Sequence, residues 1–218
     1  MTNFKKTTDA MIRPVIADII HCLHPSSHFL EEVGATLHFP TRPTYRDVRL
    51  DLFGVDIHGC VGIEIKSDRD TLTRFKTQEP CYARLCKTNY LVIGEKFLTK
   101  IQDIPFYWGI ILVYDGGDSL HAELVREPEP SPHYDPYAIL ALIWKEELVL
   151  LLKKHGLYKG MSKSRAKYMR KALRDNLSLE ELMTDIHWLF TVRDGWKIPF
   201  HERHEPDPSY TIVYREEI

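Results

Sequence analysis

Apolar residues at helical spacing open the chain: Met11, Val15, Ile19 and Leu23 predict a helix over Thr8 to Leu23. Pro14 falls early enough to be tolerated. The run His24-Pro25-Ser26-Ser27 ends that helix. From Val48 to Val55, and again from Cys60 to Lys66, the pattern reads as strand, and His58-Gly59 between them is a turn signal because glycine accepts positive φ. A helix is predicted from Thr71 to about Cys86, disturbed at Pro80, with Ser67 and Asp70 at capping-box-like spacing before it. The apolar, β-rich runs Tyr90 to Gly94 and Tyr107 to Tyr114 predict buried central strands, and His121 to Val125 an edge strand.

Four prolines, Pro128, Pro130, Pro132 and Pro136, crowd one short stretch. Neither helix nor strand accommodates them, so a linker is predicted there. Beyond it the period turns helical over Tyr137 to His155, Ser164 to Asn176 and Ser178 to Val192, the last opening with the capping box Ser178-Leu179-Glu180-Glu181. The tail from Trp196 is polar and Pro-containing, with one short strand expected at Tyr210 to Tyr214. The expected organisation is a core over 1–126, a linker over 127–136, a helical appendage over 137–195 and an extended tail over 196–218. In fold class this is α/β, with a mixed central sheet flanked by helices and a C-terminal helical appendage.

Composition adds bounds. Apolar residues make up 44% and charged residues 28%, enough for a packed core rather than a disordered chain. The four cysteines form no CxxC pair, so free thiols in a reducing compartment are expected. The N-terminus has no signal-peptide pattern, and the most apolar stretch, Ala138 to Leu152, is interrupted by charge and too short for a membrane span. A cytoplasmic protein without a membrane partner is expected. The net charge of −2 hides one concentrated field: Lys153 to Arg174 carries nine Lys or Arg and no acid. Met169 and Leu173 would face the core, leaving Lys163, Arg170, Lys171 and Arg174 outward. With Arg165 and Lys167 they form a candidate phosphate-binding face. A solubilising helix face is the plainer alternative. The histidines, among them His21, His24, His28, His187, His201 and His204, show no metal-binding spacing, and His201 with His204 reads as a surface pair.

The two-strand hairpin carries the candidate chemistry. Side chains alternate faces along a strand, so Glu64 and Lys66 share a face, roughly 6–7 Å apart. An Ile57-His58 loop would place Asp51 opposite Glu64, and a His58-Gly59 loop would place it opposite Lys66. Two carboxylates on one face can hold Mg²⁺ or Mn²⁺, with the Ile65 carbonyl as a further ligand, and a nearby lysine can steady negative charge on a phosphate. Alone, a Glu-x-Lys triplet is common as a solvated ion pair. Here it sits among Val61, Ile63 and Ile65. On the next helix Arg74, Gln78 and Tyr82 follow at intervals of four and form one stripe.

Asp51, then Glu64-Ile65-Lys66, then Gln78-x-x-x-Tyr82 resembles the PD-(D/E)XK nuclease superfamily, and the Gln-x-x-x-Tyr element resembles its RecB-like branch. The string from Ile63 to Leu72, followed by Tyr90 to Lys96, is similar to a narrower group of small bacterial and phage proteins related to the MmcB-like DNA-repair proteins. The resemblance implies a restriction-endonuclease-like core and a metal-dependent nuclease acting on DNA, or alternatively RNA, in repair, recombination or phage–host conflict. It implies Asp51 and Glu64 as metal ligands, Lys66 as the catalytic lysine, and Gln78 and Tyr82 as supporting residues. Leu50 stands where the motif's proline would be. An acid on the first helix often assists the metal in this superfamily, and Asp18, or Glu31 or Glu32 on a longer helix, is the candidate. A homodimer is compatible with this reading, since enzymes that cut both strands often pair. A non-catalytic binding module on the same fold is the competing expectation.

Overall fold

The computed structural model describes residues 6–39, 44–193 and 199–215. Six strands form one sheet in the order β1-β2-β3-β4-β5-β6: β1 His28–Phe39, β2 Thr44–Asp56, β3 Gly59–Lys66, β4 Thr88–Gly94, β5 Trp108–Asp115 and β6 Leu120–Arg126. The pairs β1–β2, β2–β3 and β5–β6 are antiparallel, and β3–β4 and β4–β5 are parallel. The fold is therefore α/β with a mixed sheet, as the order of elements predicts. The parallel strands are the most apolar because helices cover both of their faces.

Helix α1 (Asp9–Leu23) lays Ile12, Ile16 and Ile20 against Ile63, Ile65, Val92 and Ile111 on one face. Helix α2 (Phe75–Leu85) covers the other face, with the rings of Phe75 and Tyr82 packed on Trp108 and Leu85 buried in the same cluster. Complete burial of each such side chain contributes about 1.5–3 kcal/mol. Helices α3 (Lys145–Lys154), α4 (Ala166–Asn176) and α5 (Leu179–Val192) bury Leu148, Met169, Leu173 and Ile186 in the same cluster as α2 and strands β1 and β2. No described helix is long and apolar enough to cross a membrane.

Several elements differ from the sequence expectation, each for a local reason. The sequence pattern does not predict strand β1. Its apolar alternation changes phase in mid-strand: Leu30 and Val33, three apart, lie in one core cluster, where a regular strand would put them on opposite faces. Glu32 sits at the break, with φ of 54°, in the left-handed region. Helix α2 begins at Phe75 rather than Thr71, because Asp70 is held back by the Ser67 N–H and hydroxyl, both donating to its Oδ2. Pro80 does not break the helix. The segment Tyr137 to His155 divides into a 3-10 helix over Pro136–Leu142 and then α3.

The stretch 127–136 is a packed strap, not a loose linker. Ser131 is buried and donates to the Ala83 carbonyl at 2.6 Å, the Glu129 N–H donates to Tyr107, and Asp135 pairs with Arg84. Polar anchors of this kind seat a Pro-rich segment that no ladder could hold. The appendage thus shares the core it follows. In the tail, Trp196 lies outside the described residues. Beyond it the chain forms a short helix, α6 (Phe200–Arg203), and then no strand: it meets β6 through a single bridge between Leu124 and Tyr214, with the Tyr210 hydroxyl donating to the Ala122 carbonyl and Arg215 pairing with Glu123.

Candidate active site

The hairpin turn is Ile57-His58: Asp56 pairs with Gly59, and the ladder runs to Leu52 opposite Ile63. One step further along this register, Asp51 stands opposite Glu64. There the ladder stops, while β3 continues to pair with β4 as far as Lys66 opposite Ile93. Strand β2 changes phase at the same level as β1, since Leu50 and Phe53 lie in one core cluster. The two irregularities face each other, Glu31 opposite Leu52 and Val33 opposite Leu50. Bulge-like breaks of this kind bend strands and re-aim side chains. Here they separate β2 from β3 and open a cavity of about 420 Å³ lined by Asp51, Glu64, Ile65, Lys66, Arg74 and Gln78, among others.

Side chains take over the backbone bonds that the ladder gives up. The Ile65 N–H donates to Asp51 Oδ2 at 2.8 Å, and the Asp51 N–H donates to the Tyr82 hydroxyl at 3.0 Å. That hydroxyl donates in turn to Glu64 Oε2 at 2.6 Å. Glu64 and Lys66, only 1% and 3% exposed, form an ion pair, and Gln78 Oε1 lies 3.5 Å from the lysine nitrogen. A buried charge is costly unless paired and hydrogen-bonded, and this cluster meets both conditions. Burial and the charge of Glu64 push the Asp51 carboxyl up to about 7, against the Ile65 N–H and Lys66, which lower it. Burial together with Glu64 and Asp51 holds the Tyr82 phenol well above its ordinary range, so it remains a neutral donor.

Tyr82 reaches this position because residue 62 is glycine. A Cβ on Gly62 would lie 2.6 Å from the Tyr82 ring and 2.9 Å from the Cys86 sulfur. Gly62→Ala is expected to destabilise the protein by about 1–3 kcal/mol, as overpacking does, and to disturb the Glu64 carboxylate by displacing the tyrosine. A urea midpoint unchanged from wild type would refute this.

The structure thus gathers Asp51, Glu64, Ile65, Lys66, Arg74, Gln78 and Tyr82 around one opening. Asp18 is not part of it; its carboxylate accepts the Asp207 N–H at 2.6 Å. Glu31 and Glu32 lie on β1, not on a helix. Glu31 is buried against Arg13 and Arg203, and Glu32 lines the cavity. Sequence reasoning missed Asp9 and Arg13 at the start of α1. Asp9 lines the cavity, and Arg13 bonds Asp9, Glu31, Glu32 and the Asp51 carbonyl. The separation of Asp9 and Arg13 by one helical turn was the available signal.

The basic face is only partly as expected. Lys167, Arg170, Lys171 and Arg174 line a second groove of about 400 Å³ between α4 and the β1–β2 hairpin. Lys163 and Arg165 are exposed outside it. Arg170 is not outward: its guanidinium donates to the carbonyls of Leu140 and Ile143 and closes the 3-10 helix. Lys171 pairs with Asp175. Six histidines, including the pair at 201 and 204, surround a third cavity of about 300 Å³. Among the described residues no group of three or more His, Cys, Asp or Glu is placed to hold a metal ion.

A family model described as bacteriophage P4 protein cII matches residues 45–192, more than half of the chain, from β2 through α5. No curated protein matches. Among solved structures, a protein of unknown function from Silicibacter pomeroyi is 19% identical, with 72% of this chain and 90% of that one covered at a TM-score of 0.38.

Proposed function

The chain belongs to the bacteriophage P4 protein cII family, and we propose that it is a divalent-metal-dependent nuclease of the PD-(D/E)XK type, acting on DNA. One observation carries this reading: Asp51, Glu64 and Lys66 converge where β2 parts from β3, at a cavity open to solvent. A purely structural ion pair would not need a second carboxylate beside it whose proton affinity is raised by burial and by the charge of Glu64. The phage name of the family fits a setting in phage–host conflict.

The donor set suits Mg²⁺ or Mn²⁺. Such ions take hard oxygen ligands, retain several waters, and are often bound through only one or two carboxylates. Asp51 and Glu64 would hold the ion, with the Ile65 carbonyl beside them. When bound, the metal would polarise a phosphate and lower the pKa of a bound water. Asp51 keeps Oδ2 on the Ile65 N–H, which fixes the carboxylate's orientation. Lys66 would offset negative charge developing on the phosphate, and Gln78 stands within reach of its ammonium. Tyr82 holds Glu64 in place. Arg74, exposed at the rim, is placed for a phosphate oxygen.

One observation favours a second reading, a non-catalytic nucleic-acid-binding module. Both Glu64 oxygens already accept from the protein, from Lys66 and from Tyr82. The deciding experiment is a cleavage panel of linear, circular, branched and single-stranded DNA with Mg²⁺ or Mn²⁺, run beside Asp51→Asn. Metal-dependent products from wild type alone support the nuclease. Binding without product under either metal would leave the binding module.

A further inference from the structure

The acid-lined cavity is the middle of three hollows. On one side it shares Asp70 with a hollow of about 650 Å³ between the start of α2 and the segment 95–105. On the other side Asp47, on its wall, accepts the Thr36 hydroxyl at 2.7 Å, and Thr36 lines the groove beneath α4. Along β2, Tyr45 belongs to that groove and Asp47 to the acid cavity, two residues apart. From Tyr45 to Asp51 the strand covers about 20 Å. The acids therefore stand partway along a trough, not at a blind end.

The middle of the trough is acidic, with Asp9, Glu32, Asp47, Asp51, Glu64 and Asp70 against Arg49, Lys66 and Arg74, so a polyanion would be held there through a bound divalent ion and elsewhere by the flanking cations. Arg74 stands in the middle, Lys76 and Lys100 in the first hollow, and Lys167 and Arg174 in the far groove. None of these five forms an ion pair among the described residues. The first hollow is nearly balanced, since it also holds Asp103 and Glu79, the latter taken by the Tyr107 hydroxyl. The far groove is strongly positive. Its one acid, Asp135, is paired with Arg84. Each end also offers an exposed ring. Tyr45 is 74% exposed in the far groove, and Phe106, 65% exposed, follows Pro105 of the first hollow. Cations tracking a backbone, with aromatic faces for unstacked bases, are the features that bind single strands.

We propose that a single-stranded polynucleotide lies through this trough from the α4 groove past the acids to the 95–105 segment, so that binding needs no strand end and scission falls on internal bonds. This rests on the nuclease reading for the scission and on the trough alone for the binding. An enzyme that removes terminal nucleotides needs a wall that stops the chain; among the described residues the acids have a hollow on either side instead.

The test uses full-length Asp51→Asn protein and a fluorescent linear oligodeoxynucleotide, displaced by a covalently closed single-stranded circle or by a linear strand of the same sequence. Equal affinity for circle and linear strand is expected. Lys167→Ala/Arg174→Ala is expected to weaken both at least tenfold. It should also reduce the slope of log affinity against log salt by about 1.4, roughly 0.7 for each single-strand phosphate that is no longer neutralised. A circle bound more than tenfold more weakly than the linear strand, tighter binding of a closed duplex circle, or an unchanged salt slope would each overturn the proposal. Circle binding without scission by wild type in Mn²⁺ would support the trough and defeat the nuclease reading.

Discussion

Asp51→Asn is expected to make the metal-free protein more stable and to abolish its response to Mn²⁺. The Asp51 carboxyl is pushed from 3.8 up to about 7 by burial and by the charge of Glu64. Between those values the folded protein holds a proton that the unfolded chain releases. Stability therefore falls as pH rises from about 4 to about 7, and levels off above. The slope is about 1.4 kcal/mol per pH unit, so the full effect at pH 8 is at most a few kcal/mol. An asparagine cannot ionise, and its amide oxygen can still accept the Ile65 N–H. Urea titrations at pH 5 and pH 8 should show the variant gaining over wild type at both, and by clearly more at the higher pH.

Addition of Mn²⁺ at pH 8 should narrow that difference. An ion that binds only the folded state stabilises it by about 2.7 kcal/mol at a concentration 100 times its Kd. Wild type should gain in this way and the variant should not, while cleavage falls at least about 100-fold, the scale on which single charge-stabilising groups act. An equal rise in midpoint for both proteins would remove Asp51 from the metal site.

Lys66→Ala should behave very differently. Lys66 and Glu64 are almost wholly enclosed and paired with each other. Removing one member of a buried pair leaves an uncompensated charge and costs about 3–5 kcal/mol. For a chain of this size that lowers Tm by roughly 10 °C. Replacing both, as Glu64→Gln/Lys66→Met, should recover most of the loss, because hydrophobic or neutral groups of similar volume replace such pairs at little cost. Cleavage should be absent in both variants. Thermal melts decide the point: a Lys66→Ala Tm equal to that of wild type would show that the pair is hydrated. Loss of activity in Lys66→Ala carries weight only at temperatures where that variant is folded.

Sequence periodicity settled most of the fold. Alternation and the turn signal after it marked β2 and β3, continuous apolar runs marked β4 and β5, and the period near four marked α1, α2, α4 and α5, because the faces each element buries set its pattern. The Asp51, Glu64-Ile65-Lys66 and Gln78-x-x-x-Tyr82 elements were legible for the same reason. Strand alternation and helical spacing translate sequence distance into a shared face when the turn between them has even length. Ile57-His58 has that length.

The tertiary structure decided what regularity could not. Strand β1 and the opening between β2 and β3 arise from matched phase breaks at Glu32 and Asp51, and a break in alternation hides a strand from a periodicity reading. Asp9 and Arg13 meet the site only because α1 packs across β3. The strap over 127–136 and the role of Arg170 depend on distant carbonyl and amide partners, which no local pattern announces. Local spacing determined which side chains could share a face; long-range packing determined where two strands part and so whether those side chains meet at an opening.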